Sequence, residues 1–265
     1  MRDLKTLMDM TGRRVLITGG AGFLGRTMGD ALAELGAEVL LVDVPGAPTQ
    51  RVADEIATRR GVNVMSFDCD LEDANARIAL AAEVAPGGLS VLVNNAAFVG
   101  TSGLTGWAEP FERQSVETWR RALEVNLTAG FQLCQLFASA LRIGPGGSII
   151  NIGSIYGQWG PDYFLYEGTG MSNPAAYGAS KGGLIQFTRW LSTTLAPEVR
   201  VNVICPGGVS RSQPKSFVER DSARTPLRRM ATEEDFRGAV AYLASDLSEY
   251  VTGQVLAVDG GWGAW

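Results

Sequence analysis

Tyr177 and Lys181 stand four residues apart in Tyr177-Gly-Ala-Ser-Lys181, a segment compatible with a helix. Helical residues at i and i+4 project from one face, so a phenol and an ammonium can share a site there. A neighbouring cation favours the phenolate and draws a group that normally titrates near pH ~10 toward the range of a general acid or base. The pair reads as a proton-transfer device. Histidine is absent from the chain, which removes the usual general base, the commonest metal ligand and any Ser-His-Asp arrangement. Cys69, Cys134 and Cys205 lie far apart in apolar segments and read as buried thiols, not as a disulfide framework or a zinc site. No metal is expected.

Such a pair needs a rigid scaffold. Strand-like runs at Val15–Ile17, Val39–Val42, Val62–Phe67, Leu89–Val93, Ser148–Ile152, Val199–Ile204 and Gln254–Val258 alternate with longer amphipathic segments. They are rich in Val, Ile and Leu without polar alternation, as strands covered on both faces should be. This is the rhythm of an α/β Rossmann-type fold, a doubly wound parallel sheet of about seven strands with helices on both faces, in one domain spanning 1–265. The first long helix should begin near Phe23 and stop at Gly36, turning Leu24, Met28, Ala31, Leu32 and Leu35 to the sheet. Three stretches break the rhythm and could border a ligand: Phe98–Ser115, Gly153–Pro174 and Gly207–Pro226, the last with Arg211, Lys215, Arg220 and Arg224.

Bulk properties exclude several classes. A chain that is 46% hydrophobic and 19% charged is ordinary for a soluble globular protein. No run approaches a membrane span, and the acidic residues within Met1–Met10 do not suit a secretory signal, so a cytoplasmic location is expected. A net charge of -5 and the lack of a basic, aromatic-interleaved stripe argue against nucleic acid as a partner.

Val15-Leu-Ile-Thr-Gly-Gly-Ala-Gly-Phe-Leu-Gly25 reads as a buried strand, a glycine turn and a helix start, with Gly19, Gly22 and Gly25 at the turn. Glycines allow close backbone approach, and the exposed N–H groups with the positive helix end attract a pyrophosphate. The second strand ends in Asp43, where a carboxylate can bond the ribose hydroxyls of a bound dinucleotide. That carboxylate would repel the extra phosphate of NADP, so NAD is the expected cofactor.

In order along essentially the whole chain, these motifs resemble the short-chain dehydrogenase/reductase family. The resemblance implies cofactor contacts from Gly19, Gly22, Phe23, Leu24 and Gly25 in the turn and from Asp43. It adds Asp70 and Leu71 beside the adenine, and Asn95 and Ala96 at a strand end. Pro206, Gly207 and Val209 then fall near the nicotinamide, with Tyr177 and Lys181. It implies a catalytic set of Asn126, Ser154, Tyr177 and Lys181. Tyr177 would exchange a proton with a carbonyl or alcohol while hydride passes to or from the nicotinamide, and Ser154 would hold the substrate oxygen. Lys181 would bind the ribose and lower the tyrosine pKa, and Asn126 would hold a water linking that lysine to solvent. Read alone, Ser154 and Asn126 also suit local backbone partners.

The chain departs from the family pattern. Phe23 stands where the common branch has glycine, no threonine follows the Pro-Gly turn, and Ile155–Thr169 lengthens the Ser154-to-Tyr177 spacing. Together with the Gly-Gly-Trp-Gly-Ala-Trp265 terminus, these features resemble flagellin-modification protein A and related sugar-pathway dehydrogenases, which implies a sugar or nucleotide-sugar precursor of a surface glycan as substrate. Tyr156, Trp159 and Tyr166 in the added segment are the candidate substrate contacts, although such aromatics equally suit core or subunit packing. Other readings are a general ketoreductase for acyl, steroid or small-alcohol substrates and a non-catalytic NAD sensor. The family further implies a homotetramer or homodimer, and exposed Trp262 and Trp265 would serve as a contact.

Overall fold

The computed structural model describes residues 1–99 and 102–265. One parallel sheet holds β1 (Arg14–Thr18), β2 (Glu38–Asp43), β3 (Val64–Asp68), β4 (Val91–Asn94), β5 (Ser148–Ile152), β6 (Arg200–Pro206) and β7 (Val255–Val258) in the order 3-2-1-4-5-6-7. Every apolar run of the sequence coincides with a strand, with ends displaced by no more than two residues. The helices are α1 (Leu4–Met8), α2 (Phe23–Glu34), α3 (Thr49–Arg60), α4 (Ala74–Val84), α5 (Val116–Leu123), α6 (Ala129–Ile143), α7 (Ala175–Leu195), α8 (Lys215–Arg224) and α9 (Arg237–Ala244).

Both sheet faces are covered because successive strand residues point to opposite sides. Val15, Ile17, Val39 and Leu41 enter one core with Met28 and Leu32 of α2 and Val240 of α9. Leu16, Leu40 and Val42 enter the other with Leu133 and Phe137 of α6 and Leu191 of α7. Each such side chain contributes about 1.5–3 kcal/mol through burial, which explains strands without polar alternation. All three cysteines are buried and free.

The strand order reverses between β1 and β4, so the loops leaving their C-terminal ends diverge and open a crevice there. Of the irregular stretches, 153–174 contains short 3-10 turns at Ile155–Gly157 and Tyr163–Tyr166. The third stretch corrects its expectation, since it contains α8: Phe217 and Asp221, one turn apart, are both buried on one face. Ten mostly polar residues are too few to show helical periodicity. Within the first stretch Gly100 and Thr101 lie outside the described residues, and Trp107 is buried with Ala122 and Ala176.

Candidate active site

The glycine turn follows β1. Gly19 has φ +64°, and a Cβ there would lie 2.9 Å from Asn95 Nδ2; one on Gly25 would stand 2.0 Å from the Gly19 carbonyl oxygen. The turn and the first turn of α2 therefore touch as only glycine permits. Gly22 caps α2 without a side-chain acceptor, which leaves the positive helix end open to an anion. Asn95 fixes the turn by donating through Nδ2 to the carbonyls of Thr18 at 2.8 Å and Gly19 at 3.1 Å. Thr18 Oγ1 accepts the backbone N–H groups of Asn95 and Ala96.

At the end of β2, Asp43 accepts from the Ala21 N–H at 2.9 Å through one oxygen and from the Val44 N–H through the other. The carboxylate thus sits against the glycine turn. Phe23 is exposed, with the Arg211 guanidinium 4.3 Å and that of Arg26 5.4 Å from its ring centroid, whereas Leu24 packs into the core. Asp70 accepts from the Glu72 N–H, and Leu71 is buried beside it. Gly207 donates to the Val258 carbonyl at 3.0 Å, and Val209 bridges to Ala231. An open helix end, a contact-limited glycine turn and an adjacent carboxylate fit a dinucleotide.

Close packing also brings the proposed catalytic residues together. Tyr177 lies in the first turn of α7 and Lys181 one turn later. The Ser154–Gly157 turn leaves β5 and lies directly on α7, where a Cβ on Gly157 would come within 2.7 Å of the Lys181 carbonyl carbon. Ser154 lies near enough to the Tyr177 phenol to draw its pKa down, but burial is the larger effect and pushes it up. This is opposite to the downward pull expected from Lys181. The lysine points elsewhere: its Nζ is 5.8 Å from the Tyr177 ring centroid and donates to the Ile152 carbonyl at 2.7 Å. Burial lowers the lysine itself to about 8.

Asn126 occupies a wide π turn, Glu124–Thr128, between α5 and α6, a feature frequent at functional sites. Its Oδ1 accepts from the Phe98 N–H at 2.7 Å, while Nδ2 donates to the Phe98 carbonyl and to Ser180 Oγ, both at 3.1 Å. Ser180 Oγ in turn donates to the Tyr177 carbonyl, so Asn126 is tied to the helix that carries the pair.

The added segment folds against α8 and the C-terminal turn. Ile155 and Leu165 pack with Phe217, Met230 and Trp262. The Tyr156 and Tyr166 hydroxyls are joined at 2.6 Å, and the Tyr156 N–H donates to Ser154 Oγ at 3.1 Å, so the tyrosine pair starts two residues from the candidate catalytic serine. Trp159 instead lines a surface cleft of about 260 Å³ with Asp162, Arg224 and Trp265. The expectation of an exposed Trp262 is corrected: it is 2% exposed, packed edge-on against Tyr156 and covered by the Arg224 guanidinium at 4.5 Å. Arg220 donates to the Phe164 and Glu167 carbonyls, and Arg224 pairs with Asp162 at 3.4 Å. These two arginines hold the added segment in place.

Comparison with known proteins agrees with this geometry. A family model described as enoyl-(acyl carrier protein) reductase matches residues 20–263. The chain belongs to the short-chain dehydrogenase/reductase family. It is 32% identical to galactitol 2-dehydrogenase (L-tagatose-forming) of Cereibacter sphaeroides, over 99% of this chain and 100% of that protein. Among solved structures it is similar to NAD+-bound xylitol dehydrogenase, with 27% identity, a TM-score of 0.84 and coverage of 95% and 99% of the two chains. It is also similar to the NADPH-dependent 3-quinuclidinone reductase of Rhodotorula rubra, with 26% identity, a TM-score of 0.86 and coverage of 100% and 96%. The protein is an NAD(P)-dependent oxidoreductase of this family acting on CH–OH donors.

Sequence reasoning missed Asn173 and Asp221. Both are buried, and Asn173 lies near enough to Tyr156 and Tyr166 to oppose the rise that burial gives their pKa values. Neither belongs to a motif. The only available signals were a polar residue just before Pro174 and an acidic one on the buried face of an unrecognised helix.

Proposed function

We propose that this chain interconverts a secondary alcohol and a ketone on a sugar or polyol, using NAD(H). The observation that carries the reading is that the turn carrying Ser154 lies on the helix carrying Tyr177 and Lys181, beside the joined hydroxyls of Tyr156 and Tyr166. A nicotinamide bound here would supply the hydride acceptor or donor. Gly19, Gly22 and Gly25 with the start of α2 would hold its pyrophosphate, Asp43 the adenosine ribose, and Lys181 the nicotinamide ribose. The Ser154 hydroxyl positions the substrate oxygen, and Tyr177 Oη takes up its proton during oxidation or returns it during reduction. A phenol raised by burial is protonated at neutral pH, the form needed for donation. Asn126, bonded to the backbone of Phe98 and to Ser180, holds α6 against α7 at this point.

Asp43, at the glycine turn, supports NAD over NADP, and the added segment with the C-terminal turn supports a precursor of a surface glycan as the natural substrate. Among the described residues no helix is long and apolar enough to cross a membrane, and we assign the enzyme to the cytoplasm as a homo-oligomer. Phe131, Phe187 and Trp190 support self-association, because they form an aromatic stripe on the outer faces of α6 and α7 with Trp190 58% exposed.

The test is reduced-nicotinamide absorbance with NAD or NADP against polyols, aldoses, nucleotide sugars and simple secondary alcohols. Turnover of polyols or sugars with NAD, abolished in Tyr177→Phe with NAD binding retained, is the expected result. Turnover confined to simple alcohols would establish the general ketoreductase instead.

A further inference from the structure

One buried charge in the wall around the tyrosine pair lacks a partner. Asp221 of α8 is 2% exposed, and its Oδ1 has no hydrogen-bond partner among the described residues. The carboxylate faces the Gly208 backbone so closely that a Cβ on that glycine would lie 2.8 Å from Oδ2 and 2.9 Å from Oδ1. Gly208 belongs to the turn after β6, and Phe217, one turn before Asp221 on the same buried face of α8, packs edge-on against the Tyr166 ring with centroids 5.3 Å apart. Asp221 therefore lies between the Pro206–Val209 turn and the wall that begins at Ser154.

Burying a carboxylate without partners opposes folding. Desolvation pushes the Asp221 carboxyl up to about 6 with no opposing attraction. Asp30 is almost as deeply buried but is met by Arg59, Arg60 and Arg237, and its carboxyl lies down at about 2. The two arginines of the same helix turn, Arg220 and Arg224, bond elsewhere. Arg220 is committed to the Phe164 and Glu167 carbonyls and Arg224 to Asp162. A lone, nearly buried acceptor beside hydroxyl-bearing side chains matches a ligand that brings its own hydroxyl donor.

We propose that Asp221, with the Tyr156–Tyr166 pair, determines specificity by accepting a hydrogen bond from a hydroxyl of a polyhydroxylated substrate, on a carbon other than the one oxidised. This rests on the sugar or polyol reading above. A site built to bond a hydroxyl discriminates strongly against an analogue lacking it, because its buried polar group is then left unpaired. The acceptor costs stability in the free enzyme and repays it on binding.

The full-length protein with NAD is assayed on galactitol, xylitol and cyclohexanol, as wild type, Asp221→Asn and Asp221→Leu. The polyol-to-cyclohexanol ratio of kcat/KM should fall roughly 10- to 100-fold in both variants, the value of a hydrogen bond to a charged group. Asp221→Leu should also melt at a higher temperature than wild type, whereas a purely structural aspartate would give a lower one. An unchanged ratio with polyol turnover intact overturns the role of Asp221 alone, as does a lower melting temperature. Wild-type turnover of cyclohexanol without either polyol overturns the polyol reading and this role together. Absence of turnover, with no calorimetric binding of either polyol to wild type, overturns both as well.

Discussion

Replacing Lys181 with Met should stabilise the fold while disabling the enzyme. Lys181 is 2% exposed, with the Ile152 carbonyl as the acceptor of its ammonium, and its pKa falls from 10.5 to about 8 with burial as the dominant cause. At ~1.36 kcal/mol per pH unit that depression costs the charged form about 3 kcal/mol. Methionine fills the same unbranched path without a charge, but it strands the Ile152 carbonyl, which returns about 1 kcal/mol of cost. The net expectation is a gain of about 2 kcal/mol at pH 7, or a melting temperature higher by roughly 4 °C. The sign follows from linkage. The folded pKa lies below the unfolded one, so the unfolded chain binds more protons between about 8 and 10.5. Wild-type stability from this group is therefore fully depressed below pH 8 and recovers as pH rises through that window. Urea unfolding of both proteins at pH 7 and pH 10, without cofactor, should show the Lys181→Met advantage shrinking or reversing at the higher pH. Turnover should fall by about 10²–10⁴-fold. A variant less stable than wild type at pH 7, or an advantage unchanged at pH 10, would refute the argument that this site stores an uncompensated charge.

Asp43→Ser should narrow the preference between cofactors. Two charges about 4 Å apart in a water-like medium repel by about 1 kcal/mol per unit pair, and a phosphate carries nearly two charges, so kcat/KM with NADP should rise roughly 10- to 30-fold. Steady-state rates with both cofactors read this, and an unchanged ratio contradicts the role given to Asp43. Light scattering of the wild type should give a dimer or tetramer, and Trp190→Lys, which places a charge in the exposed aromatic stripe, should shift it toward monomer. A wild-type monomer at working concentration rules the interface out.

Much of the fold was legible because β1, β2 and β5 are buried on both faces, and uninterrupted Val, Ile and Leu runs have few other uses. The glycine turn was legible for a different reason, since a Cβ at Gly25 would collide with the Gly19 carbonyl and the sequence has no alternative there. α8 was not legible. Its buried face consists of Phe217 and Asp221, and a carboxylate does not announce burial.

Chemistry confined to one turn of chain was settled by the sequence itself: Tyr177 and Lys181 on one helical face, glycines before a helix, and Asp43 at a strand end. Only the tertiary structure decided which distant groups meet them. Gly157 lets the Ser154 turn lie against α7, burial and not the lysine dominates the Tyr177 phenol, and Trp262 turns inward under Arg224 instead of facing outward. Asp221 came to the tyrosine pair through the packing of Phe217, on the same face of α8, against Tyr166. Local spacing fixes the directions of neighbouring side chains, whereas burial and the pairing of charges are set by everything packed around them.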